Sequence, residues 1–311
     1  MIVGLVLGDP AGIGAELAAR VLSQVDPKEV VVIGDVRQLH AGARVAGVSL
    51  PDLRVVDLKN ADPKAIELGK VSAAGGKAAL ENFTRGLDMA RRGEVHALCF
   101  TPFNKQALHL AGNRHEDELR YAADYLGFAG PVGEFNVLAR FWNARVTSHI
   151  PLREVASALT HDRIVQAIAL THDSMQKAGF ARPRIAVAAL NPHAGEGGNF
   201  GREEIDIIAP AVAAAQQKGV SATGPFPADT VYVAARDGRF DAVVSMYHDQ
   251  GQIAFKLIGF AEGVTVLGGL PIPITTAAHG TAYDIAGRGV ARPGAMQRAF
   301  QIAGAMASRQ L

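Results

Sequence analysis

Near position 245 a short apolar run stops abruptly at polar side chains. Residues 240–244, Phe-Asp-Ala-Val-Val, read as a buried strand, and the chain then turns polar at His248, Asp249 and Gln250 before Gly251. Open α/β sheets bind ligands beyond the carboxyl ends of their strands, so polar side chains clustered there mark a candidate site. A lone histidine is more often a satisfied core residue, but here the pattern recurs. His149 follows the strand-like Ala144-Arg145-Val146-Thr147-Ser148 and precedes Ile150-Pro151, and His193 follows a strand over 185–190 within Asn191-Pro192-His193-Ala194-Gly195-Glu196-Gly197-Gly198. Three imidazoles at equivalent strand ends can converge on one ion, and imidazole suits zinc and other first-row divalent metals. Asp249 adjoins one of them, and Asp229 sits in the loop 225–230 before a helix.

The earlier part of the chain repeats the strand-then-turn grammar. Residues 1–7 form a strand leading into Gly8-Asp9-Pro10-Ala11-Gly12-Ile13-Gly14, a glycine-rich turn before a helix that begins near Ala15. The turn lets backbone approach a ligand or pack helix on sheet, but it is neither a G-x-G-x-x-G fingerprint nor a P-loop with its lysine. Asp9 is a candidate there. Residues 30–34 are a second buried strand, a helix is expected from Lys77 to about Arg92, and 97–100 are a third strand followed by Thr101-Pro102-Phe103-Asn104-Lys105. Lys105 is equally an ordinary surface cation or a site residue. Residues 113–118 open a helix with acidic side chains at its positive end, a pattern that dipole complementation alone explains. Residues 128–131 break the chain between domains.

Composition narrows the class. A chain of 311 residues, 49% hydrophobic and 20% charged, is long for one core and suits an α/β enzyme of two domains. A formal net charge of +1 gives no reason to expect nucleic acid or an acidic membrane as partner. The single cysteine, Cys99, excludes an intrachain disulfide and a cysteine-rich zinc site, and reads as a core thiol at a strand end. The first residues lack a basic region, and no window approaches a membrane span, so a cytoplasmic protein is expected.

Residues 279–291, His-Gly-Thr-Ala-Tyr-Asp-Ile-Ala-Gly-Arg-Gly-Val-Ala, resemble the segment of isocitrate and isopropylmalate dehydrogenases that binds the adenosine end of a dinucleotide. Taken with 8–14, Thr101-Pro102 with Lys105, 148–153, 191–198, 227–230, 246–251 and His279-Gly280-Thr281, the chain resembles the 4-hydroxythreonine-4-phosphate dehydrogenase (PdxA) family, in the family's order and over nearly the whole length. The resemblance implies a two-domain α/β/α fold similar to isocitrate and isopropylmalate dehydrogenases, with the active site in the interdomain cleft. It divides the chain into 1–128 plus 275–311, carrying the dinucleotide segment, and 129–274, carrying the metal site and the interface of a homodimer. The implied metal ligands are His149, His193 and His248, with zinc expected first and magnesium, cobalt or manganese as alternatives. NAD or NADP is the implied cofactor, bound by His279, Gly280, Thr281, Asp284 and Gly287. Asp229, Asp249 and Lys105 are the candidates for the base that removes the hydroxyl proton.

The departures from the family concern its phosphate grip, a His-Thr pair with a lysine, an asparagine and an arginine. The pair appears here as His115-Glu116 and the lysine as Lys256, while the asparagine and arginine positions hold Thr265 and Ile274. Isoleucine removes a bidentate phosphate partner and Glu116 repels a dianion. The expectation is therefore a metal-dependent, NAD(P)-linked dehydrogenase that oxidises the secondary alcohol of a non-phosphorylated small-molecule hydroxy acid, with decarboxylation of the β-keto acid as a possible sequel. The alternatives are true 4-hydroxythreonine-4-phosphate dehydrogenase activity in pyridoxal phosphate (vitamin B6) biosynthesis, and a metal-dependent lyase or hydrolase that has lost its dinucleotide. Residues 279–291 argue against the last.

Overall fold

The computed structural model describes residues 1–139 and 141–309 and divides by its contacts into two compact units. The first unit is Met1–Ala129 with Val264–Val266 and the chain from Leu270 onward; the second is Gly130–Gly263 with Leu267–Gly269. In chain order the strands are β1 (Val3–Val6), β2 (Val30–Gly34), β3 (Arg54–Asp57), β4 (Ala97–Phe100), β5 (Gly133–Val137), β6 (Trp142–Arg145), β7 (Ile185–Ala188), β8 (Ala222–Phe226), β9 (Ala242–Ser245), β10 (Val264–Gly268) and β11 (Ile274–Ala277). The helices are α1 (Gly14–Leu22), α2 (Val36–Ala46), α3 (Ala73–Arg91), α4 (Lys105–Leu110), α5 (Glu118–Tyr125), α6 (Leu152–Ala158), α7 (His161–Ala178), α8 (Ala209–Gln217), α9 (Ala228–Arg236), α10 (His248–Gly259) and α11 (Gly294–Ala307).

In the first unit the strand order is β3-β2-β1-β4-β11, every pair parallel. Strands buried on both faces read as continuous apolar runs, which is why Val-Val-Val-Ile-Gly in β2 shows no alternation. Phe83 of α3 is wholly buried and packs on Phe100 at 5.2 Å and Phe103 at 5.5 Å between ring centroids. Truncating such a residue to alanine costs about 3–5 kcal/mol. Helix α3 begins at Ala73, earlier than the expected Lys77, because the Ser72 hydroxyl accepts from the Gly75 amide at 3.0 Å and caps it. Helices α1 and α2 meet where Gly42 leaves no side chain, since a Cβ there would lie 2.2 Å from the Ala15 carbonyl oxygen.

In the second unit the order is β5-β6-β9-β7-β8, with β5 antiparallel to β6 and the rest parallel. Trp142 of β6 is 2% exposed and packs on Phe135 at 5.5 Å. Helix α7 is capped by the Thr160 hydroxyl, which accepts from the Arg163 amide, and it ends where Gly179 turns left-handed at φ 112°. Among the described residues no helix is long and apolar enough to cross a membrane.

Candidate functional site

The parallel pairing in the second unit sets the order of its strand ends. Register partners Arg145 and Ser245 join β6 to β9, Val187 and Val244 join β7 to β9, and Ala188 and Phe226 join β7 to β8. The segments leaving the carboxyl ends of β6, β9, β7 and β8 carry His149, His248 with Asp249, His193 and Asp229. The His149 and His248 rings lie 5.4 Å apart between centroids, and His248 Nδ1 is 2.7 Å from Asp249 Oδ1. An aspartate on Nδ1 fixes the ring and leaves Nε2 for a ligand. The ring nitrogens of His149, His193 and His248 are not all within 4.8 Å of one another, and His193 is exposed.

Each of these segments is held by polar contacts to buried backbone. The Gln250 side chain accepts from the Met246 amide and donates to the Ala189 carbonyl, both at 2.7 Å, so one amide ties the end of β9 to the end of β7. Arg145 donates to Ser148 Oγ and Asn136 Oδ1, both at 2.8 Å, and pairs with Glu134, steadying the residue before His149. Glu204 is 2% exposed, and its Oε1 accepts from the amides of Leu190 at 2.8 Å and Asn191 at 2.7 Å. The chain beyond Asn191 then adopts positive φ at six successive residues, His193 through Gly198. Three of the six are not glycine, and such backbone persists only where the surroundings over-determine it, most often at ligand sites. Gly195 is obligatory, since a Cβ there would meet Glu204 Oε2 at 2.7 Å. Gly251 lies against the buried Asn143 amide, which accepts from the Tyr232 hydroxyl at 2.9 Å. Burial pushes that phenol well above its ordinary range.

In the first unit the glycine-rich turn folds onto the segment after β11. Asp9 is 1% exposed; its Oδ1 accepts from the Ala11 amide at 2.9 Å and its Oδ2 from the Tyr283 hydroxyl at 2.6 Å. Burial raises the Asp9 carboxyl, with both hydrogen bonds opposing, and Tyr283 is raised by its own burial and by the carboxylate beside it. The Ile13 amide donates to the Thr281 carbonyl, and a Cβ on Gly12 would lie 2.8 Å from Thr281 Cβ. Gly280 faces open space, Asp284 and Gly287 are exposed, and His279 Nδ1 is 3.1 Å from the Gly280 carbonyl. Exposed glycine backbone beside an exposed carboxylate fits the ribose end of a dinucleotide.

A separate cavity of about 160 Å³ in the first unit brings Lys105, His115 and Glu116 together with His109, Asn113, Asp117 and Glu118. Both ring nitrogens of His115 face oxygens, Asn113 Oδ1 at 3.1 Å and Asp124 Oδ2 at 3.2 Å. Asp117 caps α5 by accepting from the Arg120 amide at 2.7 Å, so part of the acidic cluster serves the helix terminus. The remaining expected residues stand elsewhere. Lys256 is exposed on α10 with its Nζ 5.8 Å from the Phe260 ring centroid, Thr265 is 6% exposed in β10, and Ile274 is 0% exposed where it opens β11 opposite Leu98. Cys99 is buried and its thiol is pushed up to about 12, an inert core group. Sequence reasoning missed Glu204, Gln250 as a clamp, and Tyr283 as the partner of Asp9.

Two units of largely parallel sheet flanked by helices, with polar groups on the strand ends, define an α/β protein of the class that binds ligands beyond its strand ends. Residues 6–303 match the family model described as "Pyridoxal phosphate biosynthetic protein PdxA", and the chain belongs to that family. It is 50% identical over 99% of its length to a Rhizobium meliloti protein named "Putative 4-hydroxythreonine-4-phosphate dehydrogenase 2", covering 94% of that protein. Among solved structures it is similar to a Klebsiella pneumoniae 4-hydroxythreonine-4-phosphate dehydrogenase, with 36% identity, a TM-score of 0.82, and 98% of this chain and 99% of that one covered. It is also similar to a terephthalate 1,2-cis-dihydrodiol dehydrogenase from Burkholderia xenovorans, at 29% identity, TM-score 0.71 and 98% of both chains. A β-decarboxylating dehydrogenase from Thermococcus kodakarensis, at 14% identity and TM-score 0.51 over 96% of this chain and 81% of that one, shares the fold.

Proposed function

We propose that this chain is a divalent-metal-assisted, NAD(P)-linked dehydrogenase that oxidises a secondary alcohol on a small hydroxy acid. The observation that carries the reading is the series His149, His248, His193 and Asp229 on adjacent parallel strands of one unit. Two imidazoles on one zinc at about 2.0–2.1 Å hold their ring centroids roughly 5 Å apart. The 5.4 Å between His149 and His248 fits that geometry, and the exposed His193 segment has to close toward the pair to complete the set. A divalent ion held there supplies Lewis acidity toward the substrate oxygen. NAD(P) supplies the hydride acceptor, its ribose fitting the exposed Asp284 and the glycine backbone at 280 and 287. Asp249 holds the His248 ring in place, which leaves Asp229 and Lys105 as the groups to take the hydroxyl proton.

The names of the relatives favour a phosphorylated substrate over the non-phosphorylated one expected from the departures, and the leading reading is therefore a 4-hydroxythreonine-4-phosphate type of acid. A second reading, a non-phosphorylated hydroxy acid or diol carboxylate, is favoured by the apolar, fully buried Ile274 and by three carboxylates around Lys105. We further propose a homodimer that covers the exposed Ile253 and Leu257, which share a face of α10 at 59% and 83% exposure. The test is kcat/KM for 4-hydroxythreonine-4-phosphate, a cis-dihydrodiol carboxylate and a plain hydroxy acid, with NAD and NADP, before and after chelation. Turnover that survives complete removal of divalent ions, or absence of any reduced dinucleotide, refutes the reading.

A further inference from the structure

Asp9 is 1% exposed, and none of the proposed chemistry uses its carboxyl. Its turn is fixed to the end of β4, where the Gly8 amide donates to Thr101 Oγ1 at 2.7 Å and the Asp9 amide to the Pro102 carbonyl at 3.1 Å. A buried carboxyl is costly unless its oxygens are bonded, so its partners show what it holds. One oxygen accepts from the Ala11 amide inside the turn, and the other from the Tyr283 hydroxyl at 2.6 Å. Tyr283 precedes the exposed Asp284, the carboxylate assigned to the ribose.

The segment around Tyr283 is tied to α1 and the turn before it at three places. The Ile13 amide donates to the Thr281 carbonyl at 3.0 Å, and Tyr283 donates to Asp9. Further on, Glu16 Oε1 accepts from the Ala291 amide at 2.9 Å, and Arg20 donates to the Gly289 carbonyl at 2.8 Å. The outer ties use the segment's backbone, which any side chains there would supply. The middle tie depends on one hydroxyl, and phenylalanine at 283 would pack alike without it. Ala282, just before it, holds φ 42° and ψ 59°, a left-handed backbone that alanine keeps only where its neighbours impose it.

We infer that Asp9 and Tyr283 are positioning residues for the dinucleotide, their hydrogen bond holding residues 282–285 in the conformation that presents Asp284. The inference rests on the reading of 279–287 as the dinucleotide segment. Hydroxyl-to-carboxylate bonds are among the stronger ones, so a single bond suffices to bias a short segment. Without it Asp284 is in place for only a fraction of the time, and apparent cofactor affinity falls by that fraction.

The experiment measures Kd for NAD and NADP by calorimetry, steady-state kcat and KM, and Tm, in wild type, Tyr283→Phe, Asp9→Asn, Asp9→Ala and Asp284→Ala. Tyr283→Phe is expected to raise Kd and KM for the dinucleotide by about 5- to 50-fold, the loss falling on KM rather than on kcat. Asp9→Asn should recover most of that affinity, since its carbonyl accepts from Ala11 while its amide donates to the phenol oxygen; Asp9→Ala should match Tyr283→Phe. Adding Tyr283→Phe to Asp284→Ala should cost little more than Asp284→Ala alone, because the two act through one contact. A lowered Tm in Tyr283→Phe with unchanged dinucleotide Kd makes the bond purely structural and overturns the inference. If Asp284→Ala weakens the dinucleotide in the same series, that result leaves the dehydrogenase reading intact. Wild type that binds neither NAD nor NADP overturns both.

Discussion

Replacing Gln250 by leucine tests whether one side chain holds two loops of the proposed site in register. The amide bridges the Met246 N–H and the Ala189 carbonyl, residues that are both 0% exposed. Leucine fills the space but strands one buried donor and one buried acceptor, each worth about 1–3 kcal/mol. The second unit should lose roughly 2–6 kcal/mol, which is large beside the total stability of a domain. Trp142 is the only tryptophan and is 2% exposed within that unit, so its fluorescence through a urea titration reports the loss there directly. Because the bridge joins the strand ends that carry His248 and His193, zinc affinity in a chelator competition should fall about 10- to 100-fold. Gln250→Glu separates the two bonds. At neutral pH its carboxylate still accepts from Met246 but faces the Ala189 carbonyl, so the folded state favours the protonated carboxyl, whose ordinary value is about 4.3. Its deficit should therefore close as pH falls through the raised value, because the protonated group can donate to Ala189 again. A loss under about 0.5 kcal/mol with unchanged zinc affinity would refute the clamp.

Three further outcomes are expected. His193→Ala should lower metal content and abolish turnover, and full metal occupancy in that variant rules out the ligand set. Burial raises Asp9 above 3.8, so its contribution to stability is complete below that pH and is lost as pH rises through the folded value. Asp9→Asn should flatten this dependence in pH-resolved melts, and an unchanged pH profile counts against a buried carboxyl there. Ile253→Glu with Leu257→Glu should convert a dimer to a folded monomer in sedimentation, and a dimer that persists places the interface elsewhere.

The strands legible in the sequence are those buried on both faces, where β-branched runs such as Val30–Gly34 carry no polar interruption, while β3, with exposed ends, and β5, β8, β10 and β11 were not read. The positions of the histidines after strand ends were legible for the complementary reason, that a strand end is where such a run breaks. What supports those sites was not. Glu204 reaches back to the Leu190 and Asn191 amides, and Tyr283 reaches Asp9 across 274 positions, contacts that neither periodicity nor spacing encodes. The expected start of α3 at Lys77 misses the first turn, Ala73–Gly76, which the Ser72 cap holds in the helix.

The phosphate question turns on the same distinction between strand ends and the surfaces around them. A phosphate dianion is bound by several charge-assisted hydrogen bonds, each about 1.5–3 kcal/mol, so losing a bidentate arginine removes roughly 3–6 kcal/mol. Ile274 cannot return any of that, and at 0% exposure it belongs to the packing of β11 against β4. The cavity beside Lys105 offers one lysine against Glu116, Asp117 and Glu118, and both nitrogens of His115 already face oxygens. A phosphorylated substrate therefore needs a cation from outside that set, and Arg114 and Arg120 are exposed on the same stretch of chain. On the proposed reading, the strand ends assigned to the chemistry are held by Gln250, Arg145 and Glu204. The His115-Glu116 stretch between α4 and α5 is not held by those clamps, so on that reading substrate choice can change while the chemistry stays.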